Sequence, residues 1–149
     1  MKNKIRLFVM AGLLSVSFAE GQAVLESEKK KAGENQQLIL LYFSGSDWCV
    51  PCIKLHRDYF DNEGFKKMAD SLLILVNADF PRNKKNQQDV NTRKRNEALA
   101  DKFNPKGIFP YTLLLDAHGE IIKAWDGLPR TDAAAFTSEV RALCMNNKK

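Results

Sequence analysis

Apolar residues in this chain gather into short runs separated by polar, charged stretches, and the spacing within each run assigns an element. Leu38-Ile39-Leu40-Leu41-Tyr42-Phe43 is apolar throughout and bounded by Gln37 and Ser44. Unbroken rather than alternating hydrophobicity predicts a strand covered on both faces, as inside a parallel or mixed sheet. Leu72 to Val76 is a second run of this kind. Tyr111–Leu115 and Ile121–Trp125 read as a third and a fourth strand, and the turn residues Asp116-Ala117-His118-Gly119 between them predict a hairpin. Other stretches have helical spacing. From Cys49 to Phe60 it places Cys52, Leu55 or His56, and Tyr59 on one face. A helix over Asn62–Ala69 would turn Phe65 and Met68 inward, and one over Asn96–Phe103 would end at Asn104-Pro105-Lys106-Gly107. Thr131 is expected to cap a last helix running to about Met145. Val24 to Ala32 reads as a lead-in helix within the polar segment 20–36, and Pro81 to Asn96 as a polar, basic stretch.

The element order is strand, helix, strand, helix, strand, strand, helix. A crossover helix joins parallel strands, and a hairpin joins antiparallel ones. The fold class is therefore α/β, with a central mixed sheet of about four strands flanked by helices. The order alone is compatible with several small folds.

The first 19 residues do not fit this pattern. Lys2, Lys4 and Arg6 precede twelve apolar or small residues, Leu7 to Phe18, and Ser17-Phe18-Ala19 places small residues where a signal peptidase reads. This is the layout of a secretory signal peptide, with cleavage expected after Ala19 and Ala23 as the alternative. A membrane anchor is the weaker reading, because a span needs roughly 18 or more apolar residues. Residues 1–19 carry three positive charges and no negative one, so the net charge falls from +5 to +2 once they are removed. The high pI is thus partly a property of the signal, and nucleic acid binding is not expected. The 149-residue chain suits a single domain, assigned to residues 37–149, exported to the periplasm or secreted and expected to be a monomer without a membrane span.

Three cysteines remain after cleavage: Cys49, Cys52 and Cys144. A disulfide scaffold needs an even and larger number, and a three-residue step cannot staple distant parts of a chain. Trp48-Cys49-Val50-Pro51-Cys52 instead sits where a buried strand gives way to a helix. Unpaired N–H groups and the positive end of the helix dipole stabilise a thiolate there, and such C-x-x-C thiols have pKa values of roughly 3.5–7.5. Pro51 suits the first turn, where a proline loses no helix bond. Cys49 is expected to be exposed and nucleophilic, and Cys52, a turn inward, shielded.

The segment Phe43-Ser44-Gly45-Ser46-Asp47-Trp48-Cys49-Val50-Pro51-Cys52 resembles the active site of the thioredoxin family, especially its small secreted bacterial members. Downstream, Phe109-Pro110-Tyr111-Thr112-Leu113 resembles that family's cis-proline loop and the start of its hairpin, and the resemblance spans roughly residues 36–142. It implies a thioredoxin-like fold and a thiol–disulfide oxidoreductase. It also implies that Pro110 is cis and faces the cysteines, that Phe109 offers backbone groups to a substrate peptide, and that Trp48 packs over the site. Many members carry a buried Asp on the first strand that exchanges protons with the inner cysteine. Here Leu40, Leu41, Tyr42 and Phe43 occupy that region, leaving Asp47 and Asp79 as substitutes that do not match by position. The pair Val50-Pro51 lacks the His of the more oxidising members, which favours a reductase over an oxidase.

No cofactor is expected. Cys49, Cys52 and His56 have ligand-like spacing, but a structural zinc wants four ligands, so no metal site is assigned. Cys144 is read as a spectator thiol, and Trp125 as sheet core. The basic residues Arg82, Lys84, Lys85, Arg93, Lys94 and Arg95 are read as a solvated surface, with a docking face for an acidic partner as the minority reading. Protein disulfides are the expected substrates, and an unidentified partner must recycle the pair. The rival reading is a non-catalytic peptide-binding module or chaperone on the same fold.

Overall fold

The structure, a computed structural model, describes residues 23–147, so the expected signal segment 1–19 lies outside the described residues. The elements are α1 (Glu26–Asn35), β1 (Leu38–Ser44), α2 (Val50–Leu55), a π-helical turn (His56–Phe60), α3 (Glu63–Leu72), β2 (Leu73–Asp79), α4 (Val90–Phe103), β3 (Tyr111–Leu115), β4 (Ile121–Asp126) and α5 (Ala133–Asn146). The sheet order is β2-β1-β3-β4. β1 runs parallel to β2 and antiparallel to β3, and β3 pairs antiparallel with β4. The four-stranded mixed sheet expected from the sequence is thus present.

The unbroken apolar run of β1 has a direct cause: the strand is central and both its faces are covered. Leu38, Leu40 and Tyr42 face one core with Leu55, Phe60, Phe65, Met68, Trp125 and Phe136. Ile39, Leu41 and Phe43 face the other, with Leu25, Ala32, Leu99 and Phe103 from the helical layer opposite. Edge-to-face and stacked pairs among Phe60, Phe65, Phe136 and Trp125 fill the first core; each such pair contributes about 0.5–1.5 kcal/mol beyond its buried area. Phe65 and Met68 face inward as expected, and Trp125 is buried.

Several boundaries differ from the sequence reading. The lead-in helix sits two to three residues later than expected, ending where Gln36 turns left-handed at φ 54°. The last helix is capped by Asp132, not Thr131: the Asp132 carboxylate accepts from Ala135 N, and the Thr131 carbonyl accepts from Tyr59 Oη. Helix α4 begins at Val90, six residues before the expected Asn96, because Asp89 accepts from Asn91 N and Thr92 N and starts it there. Its first turns are mostly exposed, so no apolar period marks them. The predicted Cys49–Phe60 helix widens into the π turn after Leu55; the extra residue makes Phe60 fully buried while Tyr59 is only half-buried.

Candidate active site

The C-terminal end of β1 and the start of α2 build the site. After Ser44 the chain turns through Gly45 and Ser46, with the Gly45 carbonyl accepting from both Trp48 N and Cys49 N. Cys49 is the N-cap of α2 and Pro51 lies in its first turn. Cys49 and Cys52 are joined by a disulfide with their Cα atoms 5.2 Å apart. The Cys52 N–H donates to Cys49 Sγ at 3.3 Å, so a first-turn amide already points at the sulfur expected to carry the charge.

One expectation needs correction. Cys49 is not the exposed member of the pair: it is 5% exposed and Cys52 4%. The disulfide and the Cys52 N–H hold the Cys49 sulfur against the helix start. What protrudes instead is Val50, 74% exposed. The two sulfurs differ in what lies behind them. Cys52 lines a cavity of about 450 Å³ beneath α2, together with Tyr42, Ser44, Leu55, Phe60 and Asn77.

The second wall comes from a loop distant in sequence. The Phe109–Pro110 bond is cis, and Pro110 is buried. The Trp48 ring lies 5.5 Å from the Phe109 ring, which in turn meets Phe80 at 5.7 Å. Trp48 Nε1 donates to the Phe80 carbonyl at 2.7 Å, and the Arg82 guanidinium lies over the indole at 3.8 Å. This web draws the cysteine turn, the end of β2 and the cis-proline loop together.

A sequence profile of the thioredoxin-like domain matches residues 25–142, the span that holds both the C-x-x-C pair and the cis-proline loop. The chain belongs to the thioredoxin-like family. It is 34% identical over 140 residues to the disulfide bond reductase DsbH of Chlamydia pneumoniae, covering 94% of this chain and 78% of that protein. A shorter match, 31% over 74 residues, is to the thioredoxin-related protein DsbJ of the same organism and covers 21% of it. Among solved structures, one titled DsbH Oxidoreductase superposes with a TM-score of 0.70 at 28% identity, covering 97% of this chain and 94% of that one. A disulphide isomerase from Xylella fastidiosa Temecula1, at 13% identity and a TM-score of 0.56, shares the fold.

In this thioredoxin-like site the two acids weighed as substitutes for the missing strand Asp stand differently. The Asp47 carboxylate accepts from Arg82 N, Asn83 N and Asn86 Nδ2, each at 2.9 Å. These bonds, the Arg82 amide first, hold its pKa below the ordinary value of 3.8, which makes it a poor proton acceptor. Asp79 ends β2 opposite Ser44. Its carboxylate accepts from Ser44 Oγ at 2.9 Å, Ser46 N at 2.8 Å and Ser46 Oγ at 2.6 Å. Ser44 lines the cavity behind Cys52 and so joins Asp79 to it. Tyr42, on the same wall, is pushed up to about 12 by burial and then by the charges of Asp79 and Asp61, so it stays protonated.

His56 Nδ1 bonds Asp61 Oδ2 at 3.0 Å, and among the described residues no group of three or more His, Cys, Asp or Glu is placed to hold a metal ion. Cys144 is buried in the first core, on α5. Sequence reasoning placed Ser44 and Gly45 in the active-site segment without giving them a role, and left Arg82 in a basic stretch whose partner, Trp48, lies 34 positions earlier.

Proposed function

We propose that this thiol–disulfide oxidoreductase reduces protein disulfides, with Cys49 as the attacking thiolate and Cys52 as the resolving thiol. The observation that carries the reading is the Cys49–Cys52 pair at the start of α2, with the Cys52 amide aimed at Cys49 Sγ. In the reduced protein the same amide and the helix dipole favour a thiolate on Cys49. That thiolate attacks one sulfur of the substrate disulfide. The substrate S–S bond breaks, one sulfur stays bonded to Cys49, and the other leaves as a thiolate and takes up a proton. Cys52 then loses its proton and attacks Cys49 Sγ. The mixed disulfide breaks, the second substrate thiol departs, and the Cys49–Cys52 disulfide remains. Two electrons have passed to the substrate, and a redox partner must return two to the pair.

Trp48, Phe109 and Pro110 form the rim on which the substrate chain rests, and Val50 and Pro51 are exposed beside the disulfide. The absence of His between the cysteines favours reduction, as does the name of the Chlamydia pneumoniae relative, a disulfide bond reductase. The N-terminal segment exports the protein to the periplasm or beyond, where it works as a monomer. No helix among the described residues is long and apolar enough to cross a membrane.

The roles of the two cysteines separate in trapping variants. Cys52→Ala should accumulate covalent complexes with substrates, seen as higher bands on non-reducing gels and released by dithiothreitol, whereas Cys49→Ala should give none. Equal trapping would overturn the assignment. Failure of the wild type to reduce insulin would favour the peptide-binding module.

A further inference from the structure

The segment between β2 and α4 is fastened to the active-site turn and turns its positive charges outward. Asp47, two residues before Cys49, holds it through Arg82 N, Asn83 N and Asn86 Nδ2. The Arg82 guanidinium stacks on Trp48, whose other neighbour is Phe109, the residue before the cis-proline. Arg82, Lys84 and Lys85 are all exposed on this fastened segment, with Arg82 in contact with Trp48.

The nearby acids point elsewhere. Asp47 faces the segment's own N–H groups, Asp79 faces Ser44 and Ser46, and Asp89 faces the first turn of α4. Among the described residues, none of Arg82, Lys84 and Lys85 forms an ion pair. The exposed Arg82, held over the indole and in no such pair, has guanidinium N–H groups to offer a carboxylate, and the two lysines add point charges on the same segment.

We propose that Arg82, Lys84 and Lys85 form a docking surface for substrates that carry acidic residues beside the disulfide, a proposal that rests on the attacking role given to Cys49. The surface acts on encounter and weak binding rather than on the sulfur chemistry.

The test uses two synthetic peptides, each closed by one internal disulfide and identical except for Glu or Lys on either side of it. Each is mixed with the reduced full protein, and the second-order rate of forming the Cys49–Cys52 disulfide and the peptide dithiol is measured. At low salt the Glu peptide should react about three- to tenfold faster, as expected for a few exposed charge pairs. The ratio should fall toward one at ~0.5 M salt, where screening is strong. Lys84→Glu together with Lys85→Glu should invert the preference, and Arg82→Gln alone should reduce it. Equal rates for the two peptides, or a preference that survives charge reversal, would overturn the docking surface and leave the cysteine roles standing. Vesicles of anionic phosphatidylglycerol bound through these lysines, with no difference between peptides, would assign the cations to a membrane and overturn it as well. No reaction with either peptide would overturn the role of Cys49 and the surface together.

Discussion

Gly45 lacks a side chain because Trp48 occupies the space. A Cβ built there would overlap Cε2, Nε1 and Cζ2 of the indole, so the ring rests directly on the glycine backbone. Gly45→Ala should displace the ring and weaken its bond to the Phe80 carbonyl and its contact with Phe109. Misplacing a positioning group by about 1 Å can cost up to ~100-fold in rate, so insulin reduction should fall about tenfold or more. Overpacking should cost about 1–3 kcal/mol, read from thermal unfolding. Unchanged turnover would show that the Trp48 position is not needed. Asp47 works at the same scale. Its carboxyl titrates lower in the folded chain than in the unfolded one, so the fastening it provides is complete above 3.8 and is lost as pH falls through the depressed folded value.

At the scale of elements, the parallel pairing of β1 with β2 brings Asp79 beside Ser44, on the wall of the cavity that Cys52 lines. The register sets Ser44 opposite Asp79 and Tyr42 opposite Asn77, directly behind α2. Ser44, whose Oγ bonds Asp79 Oδ1 and Asn77 Oδ1, shares a cavity wall with Cys52, which makes Ser44 and Asp79 the groups to test for the Cys52 proton. Asp79→Asn and Ser44→Ala should slow resolution of the mixed disulfide about tenfold or more at neutral pH, the low side of general-base effects. The deficit should close as pH rises and the thiol ionises without help, while the first attack changes little. Asp47→Asn should leave the pH profile of resolution in place. Stopped-flow measurement of both phases against pH tests this, and parallel profiles for Asp79→Asn and wild type would remove Asp79 from that role.

For the whole molecule, a sheet covered on both faces holds two cores, and the functional rim gathers at one end of it. The end of β1, the end of β2 and the loop before β3 meet there, which lets residues far apart in sequence share one groove. Export belongs to this scale too, because a redox pair of this kind depends on the compartment that supplies its electrons. Mass spectrometry of the protein recovered from producing cells should show a mature N-terminus at Glu20 or Val24. Recovery only as the full-length form in the cytosol would overturn export.

β1, β2 and β3 were legible in the sequence because apolar residues dominate them, most fully in the buried β1, while β4, mostly exposed, was legible from the turn that precedes it. The C-x-x-C pair was legible because its geometry is local: α2 begins at Val50, the residue after Cys49, and the disulfide spans three positions. The start of α4 was not, since an exposed helix needs no apolar period and its cap is a single Asp. Nor could the sequence choose between Asp47 and Asp79, or show that Arg82 belongs to the site. Those assignments depend on which backbone amides a carboxylate meets and which ring a guanidinium covers. Those contacts exist only because the pairing of β1 with β2 brings residues more than 30 positions apart together.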